Sequence, residues 1–193
     1  MTDNAETTNI SSILALCIQG DQSAIEALVR TFEGGVFRLA LSVVDDPMDA
    51  SEITQETFIA ALRSLRSYRE NSSFKAWIFT IAMNLSRSRL RKRKAIDRLR
   101  SLVAGFIRLE SQKTRSPEET LVQNENERAV WQALSNMDEK HRLPVILRYF
   151  HELPISEIAD ILKINEGTVH SRLHHARQRL QQELKDLFKQ DTP

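Results

Sequence analysis

Ser171, His174, His175 and Gln178 recur at three- and four-residue steps, with Arg172, Arg177 and Arg179 between them. On a helix this spacing collects hydrogen-bonding groups on one face and guanidinium groups on its flanks. Nothing in the set is a paired acid and base or an activated nucleophile. What these side chains suit is contact with nucleic acid: the polar groups reach base edges in a DNA major groove, and the arginines hold phosphates. The opposite face carries Val169, Leu173, Ala176 and Leu180, an apolar stripe that must be buried. Just before it, Ile155, Ile158, Ala159 and Leu162 mark one face of a shorter helix. Between the two lies the polar, glycine-bearing turn Lys163–Gly167, where Asn165 can cap the next helix and Glu166 suits its positive end. Together they predict a helix-turn-helix, and the competing reading is an ordinary helical hairpin with a solvated basic face.

A second constellation lies upstream. Thr80, Asn84, Arg87 and Arg91 fall at helical spacing on a helix expected from Phe74 to about Lys94. Lys75 stands near its start, and the polar loop before it offers Tyr68, Arg69, Glu70 and Asn71. A cationic stripe beside an aromatic, amide-bearing loop suits separated DNA strands: arginine holds the backbone, an aromatic stacks on an exposed base, an amide reads its edge. Stacking contributes roughly 1–3 kcal/mol per base, comparable with the few kcal/mol needed to unpair one. One such loop does not melt a duplex unaided, so a larger machine is required. Phe74 and Trp77 share the apolar stripe and belong to the core on this reading. The run Arg87–Lys94 can also be read as a solvated helix end favoured by the dipole.

Composition bounds the remaining classes. The chain has 193 residues, 41% apolar, with a net charge of +1. That sum hides opposed clusters: Asp45, Asp46, Asp49, Glu52 and Glu56 crowd one stretch, and Arg87, Arg89, Arg91, Lys92, Arg93 and Lys94 another. Opposed patches suggest two different partners. Cys17 is the single cysteine, so an intrachain disulfide and a cysteine-based zinc site are excluded. Its neighbours Ile13, Leu14, Leu16 and Ile18 make it a buried thiol. No signal peptide and no long apolar span is visible, so a cytoplasmic protein without direct membrane insertion is expected.

Five glycines, five prolines and no strand-type alternation predict an all-α chain of two small helical domains joined by a linker, the second holding the helix-turn-helix. Residues 1–20 form a polar, loose beginning and a short helix from Ile10 to Gln19. Residues 21–95 form the first domain. In it, Ile25, Leu28, Val29, Phe32, Val36, Phe37 and Ala40 face inward from one helix. Asp45-Asp46-Pro47 breaks the chain, and Ile53, Phe58, Ala61 and Leu65 face inward from the next helix. Residues 96–117 form the linker, with a possible amphipathic stripe over Leu99–Leu109. Residues 118–193 form the second domain, with helices expected near Glu119–Asn136, Glu139–His151, Ile155–Leu162 and Glu166–Leu187. Pro144 should sit in the first turns of its helix or kink it.

These blocks resemble a known family. DASEITQETFIAALRSLRSYRENSSFKAWIFTIAMNLSRSRLRKRK resembles region two of the extracytoplasmic-function sigma factors, the smallest class of bacterial sigma subunits. LSNMDEKHRLPVILRYFHELPISEIADILKINEGTVHSRLHHARQRL resembles their region four. The resemblance implies an alternative, non-enzymatic sigma factor that binds core RNA polymerase and directs initiation at a narrow promoter set, held inactive by an anti-sigma protein. The first domain would bind the polymerase through Asp49, Glu52, Gln55, Glu56 and Phe58. It would melt and read the promoter −10 element through Tyr68, Arg69, Asn71, Lys75, Thr80, Asn84, Arg87 and Arg91. The second would read the −35 element through Thr168, His170, Ser171, Arg172, His174, His175, Arg177 and Gln178. No cofactor, metal or catalytic residue is implied.

One departure bears on specificity. Many relatives carry arginine or lysine at some of the positions held here by His170, His174 and His175. Bidentate arginine on guanine contributes roughly 1–3 kcal/mol of discrimination, and histidine cannot supply that fork. Histidine charge changes near neutral pH, so the expected grip strengthens in acid; a flat binding curve between mildly acidic and mildly alkaline buffer would remove that expectation. Three rivals stand beside the sigma reading. A free-standing dimeric regulator lacks an evident dimerisation element and leaves Tyr68–Lys94 unexplained. An enzyme finds little support: His151-Glu152 begins like a zinc-protease motif but Ile155 stands where the second histidine belongs, and His170 with His174 lack a third ligand. A purely structural adaptor would show no salt-dependent DNA affinity.

Overall fold

The computed structural model describes the backbone of residues 3–69, 73–104 and 125–190, and side chains over 10–69, 73–96 and 130–182. All regular structure among the described residues is helical. In order, the helices are α1 (Asp3–Gln19), α2 (Gln22–Val44), α3 (Pro47–Ser64), α4 (Phe74–Ala104), α5 (Glu125–Ser135), α6 (Glu139–Val145), α7 (Ile155–Leu162) and α8 (Glu166–Gln190). A 3-10 turn, Leu65–Ser67, follows α3, and a π-helical turn, Ile146–Phe150, follows α6.

Local chemistry explains the boundaries. The Asp21 side chain accepts from the Ala24 amide (2.8 Å) and starts α2. The Asp46 side chain accepts from the Asp49 amide (2.9 Å), with Pro47 following in the first turn of α3, where its missing N–H costs nothing. Between them Asp45 closes α2 in the left-handed conformation, φ 56°. The expected break at Asp45-Asp46-Pro47 is therefore an αL cap followed directly by an N-cap. Two other boundaries differ from expectation. Helix α1 starts at Asp3, ahead of the expected Ile10, and α4 runs past Lys94 to Ala104. The expected Leu99–Leu109 stripe lies outside the described side chains.

Helices α2, α3 and α4 pack around Leu28, Val36, Leu39, Ile53, Ala61, Ile78, Phe79 and Met83, all nearly inaccessible. Around the helix-turn-helix, Leu134, Leu143, Ile146, Leu147, Ile158, Ile161, Val169, Leu173 and Ala176 form the second packed group. The two groups join into one buried cluster, because α7 packs on α4. Pro144 sits inside α6 and cannot donate to the preceding turn. Directly after it the winding loosens to the π turn, whose closing bonds run from the His151 amide to the Ile146 carbonyl (3.2 Å) and from Leu153 to Leu147 (3.0 Å). That rewound turn delivers His151 into the junction between the two groups.

Candidate nucleic-acid interface

The turn of the helix-turn-helix is built without its glycine. Lys163 takes the left-handed position (φ 56°), while Gly167 lies inside α8. Asn165 caps α8 as expected: its Oδ1 accepts from the Thr168 amide and hydroxyl, both at 2.7 Å. With Val169, Leu173 and Ala176 inward, His170, Ser171, His174, His175, Arg177 and Gln178 are all exposed along one side of α8. Gln178 Nε2 lies 3.1 Å from His174 Nε2, so these two order one another. Arg177 donates from Nε (2.8 Å) and Nη2 to the Tyr149 hydroxyl, and its guanidinium lies 5.7 Å from the centre of that ring. Arg179 reaches the Asn136 carbonyl (3.1 Å). Arg172 is half-buried and lines a cleft with Arg87, Asp138, Glu139 and Lys140, away from the open row. Thr168 is half-buried too, its hydroxyl spent on the cap.

The upstream stripe divides into open and covered residues. Asn84 and Arg91 are exposed on α4 and Arg69 precedes it in the open. Tyr68 is half-buried, edge-on to Phe74 (5.5 Å) and tilted on Trp77 (5.3 Å). Phe74 is buried, as the apolar stripe required. Thr80 turns its hydroxyl back to the Ala76 carbonyl (2.9 Å). The two remaining cations face the helix-turn-helix: Lys75 Nζ donates to the His151 carbonyl (2.6 Å), and Arg87 Nε lies 3.7 Å from Glu139. At the head of α4, the Glu157 carboxylate accepts from the Ser73 amide and hydroxyl, both at 2.9 Å. Glu70 and Asn71 lie outside the described residues.

On helix α3, Phe58, read from its spacing as inward and from the resemblance as a polymerase-binding position, is buried in the core. The outward face bears Glu52, Gln55 and Glu56 with Ile59 and Met48, which are 50% and 75% exposed. Sequence reasoning missed those two; their signal was apolar type off the inward stripe. The opposed charge clusters also lie side by side in space. Arg89 Nη1 donates to Asp49 (2.7 Å) and Glu52 (2.8 Å), and its Nη2 lies 3.4 Å from Glu56. Arg93 adds a 3.7 Å pair with Asp49. Hydrogen bonding to Glu52 leads the causes that hold the Arg89 guanidinium more firmly protonated than usual. Cys17 is buried, and burial followed by the nearby Asp21 pushes its thiol up.

Comparison with known proteins places this geometry. The Sigma-70 region 2 family model matches residues 28–103, and the Sigma-70, region 4 model matches residues 127–180. The ECF RNA polymerase sigma factor SigW of Bacillus subtilis is 33% identical over 174 residues, covering 88% of this chain and 93% of the relative. The RNA polymerase sigma-H factor of Pseudomonas aeruginosa is 30% identical, covering 89% of this chain and 92% of the relative. A co-crystal structure of the sigma factor RpoE with the anti-sigma factor NepR from Bartonella quintana superposes with a TM-score of 0.64 at 24% identity, covering 83% of this chain and 96% of that one. CnrH in complex with the cytosolic domain of CnrY gives 0.61 at 23% identity, covering 93% and 97%. A Sigma-70 region 2 and a Sigma-70 region 4 in one chain define a sigma-type transcription initiation factor. The chain belongs to the ECF sigma factors of bacterial RNA polymerase. It is an alternative sigma factor that binds core polymerase and directs promoter-specific initiation. Among the described residues no helix is long and apolar enough to cross a membrane.

Proposed function

We propose a division of that work between the two helical groups. The outward face of α3, with Glu52, Gln55, Glu56, Met48 and Ile59, docks on the polymerase. Tyr68, Arg69, Asn71 and the α4 stripe Lys75, Asn84, Arg87 and Arg91 capture the opened −10 strand. Helix α8 reads the −35 duplex through His170, Ser171, His174, His175 and Gln178, with Arg177 and Arg172 on phosphates. The chain performs no bond chemistry itself and acts in the cytoplasm. An anti-sigma protein holds it inactive; the complex of the structural neighbour RpoE with the anti-sigma factor NepR supports such a partner.

The observation that carries this reading is the open polar row of α8, held rigid from beneath by Val169, Leu173 and Ala176 and from its end by the Asn165 cap. The test is reconstitution. Adding the purified chain to sigma-free core polymerase should yield transcripts with defined starts from cognate promoters. Within that assay, Ser171→Ala with Gln178→Ala should lose dependence on the −35 sequence. Retained dependence would move −35 reading to another surface.

A further inference from the structure

We propose that His151 is a proton-sensitive latch between the two helical groups. Neutral, it seats the helix-turn-helix group over the head of α4; protonated, it withdraws and exposes Lys75, Ser73 and Arg87. The latch stands on geometry and goes beyond the division of labour above; only its consequence for promoters rests on that reading.

His151 is 3% exposed, unusual for an imidazole at the end of a surface turn. Its ring stands edge-on to Phe79 of α4, centroids 4.6 Å apart. Gly35 of α2 leaves room for both: a Cβ there would lie 3.2 Å from Phe79 Cζ and 3.7 Å from His151 Cε1. Nε2 is buried with no hydrogen-bond partner among the described residues. The charged groups acting on the ring are Lys75 from α4 and Arg38 from α2, both cations. A neutral ring tolerates this seat; an imidazolium has no counter-ion in it and faces two like charges. Around the ring, Lys75 on the His151 carbonyl and Ser73 on Glu157 complete the clasp. These bonds occupy the end of α4 that a displaced strand would need.

The sign follows from linkage. Burial first, then Lys75 and Arg38, lower the seated ring from the ordinary 6.5 to about 3. The closed form therefore binds fewer protons than the open one. Closure is fully favoured above about pH 6.5 and weakens as pH falls through that value towards 3. From pH 7.5 to 5.5 the open-to-closed ratio should rise about tenfold.

The experiment uses the full chain with a dye pair on cysteines introduced by Arg66→Cys and Lys163→Cys, both exposed positions; Cys17 is buried and stays unlabelled. Single-molecule energy transfer counts open and closed molecules. The ratio should rise about tenfold from pH 7.5 to 5.5, and His151→Phe, which keeps a ring but cannot protonate, should abolish the rise. An unchanged ratio in the parent chain, or the same rise in His151→Phe, overturns the latch. Should His151→Phe fail to fold, a ring NMR titration of the parent chain decides: a ring that titrates near 6.5 while the molecule stays closed also overturns it. No polymerase or DNA enters these measurements, so their failure strikes the latch alone, whereas failed reconstitution strikes the functional reading.

Discussion

Arg177 and Tyr149 illustrate what a single side chain must reconcile. The guanidinium is exposed where DNA phosphates would pass, yet it is tethered to the tyrosine hydroxyl through two nitrogens. A tethered arginine loses less rotamer freedom on binding, so its phosphate contact should come at lower entropic cost. Arg177→Ala is expected to weaken promoter binding at all sequences alike and to lower the salt slope by about one; titrations at several salt concentrations read this directly. Asn84 makes the complementary prediction, because it is exposed and amide-bearing beside the covered cations. Asn84→Ala should impair strand opening more than initial duplex binding, as followed by permanganate reactivity against filter retention. Individual residues were legible in the sequence where type and position agreed. Cys17 and Phe74 were read as buried and are. Phe58 was read as inward from its apolar spacing and is buried.

Helices were the most legible level, because 3.6-residue periodicity is a property of the chain itself. The Asn165 cap, the Asp45-Asp46-Pro47 break and the inward faces of α2, α7 and α8 all follow from residue type at a given step. The turn before α8 was legible in place but not in mechanism. The sequence showed a polar turn with a glycine in it but not which residue would take the left-handed position; that residue is Lys163, whose Cβ bears the strain. Less legible still was the π turn after Pro144, which depends on a carbonyl pattern no residue type announces. Asn165→Ala removes the side-chain acceptor of the Thr168 amide and hydroxyl, leaving the amide only the Asn165 carbonyl, and should cost about 1 kcal/mol, typical of a lost N-cap. Chemical denaturation checks it, and DNA affinity should fall further than stability if the cap also aims α8.

At the scale of the molecule, the packing of α7 on α4 was invisible in the sequence. Its contacts are long-range, single and chemically ordinary: one carboxylate on Ser73, one lysine on a carbonyl, one histidine in a socket. No spacing rule predicts such pairs. They place the helix-turn-helix group over the head of α4, so a strand captured along the proposed stripe would compete there with this chain's own second half. Glu157→Ala frees Ser73 and should raise apparent affinity for a single-stranded −10 oligonucleotide by increasing the fraction of molecules with the head of α4 open, without altering any residue of the proposed strand-binding stripe. Fluorescence anisotropy against the labelled strand measures it, and an unchanged affinity would mean the clasp carries no weight. Gly35→Val should also disfavour the closed form by crowding Phe79, at roughly 1–3 kcal/mol. The Arg89 guanidinium of α4, laid across the carboxylates of α3, exposes a further property of this side of the fold. With Arg89 spanning Asp49, Glu52 and Glu56, the fold has installed its own counter-ion on this helix. Viewed from a distance, that side of the molecule exerts little pull on an approaching basic surface, and encounter there gains little from long-range steering. Docking would be an exchange in which a visiting cation replaces a resident one. The association rate should then respond only shallowly to added salt, and Arg89→Ala should steepen that response.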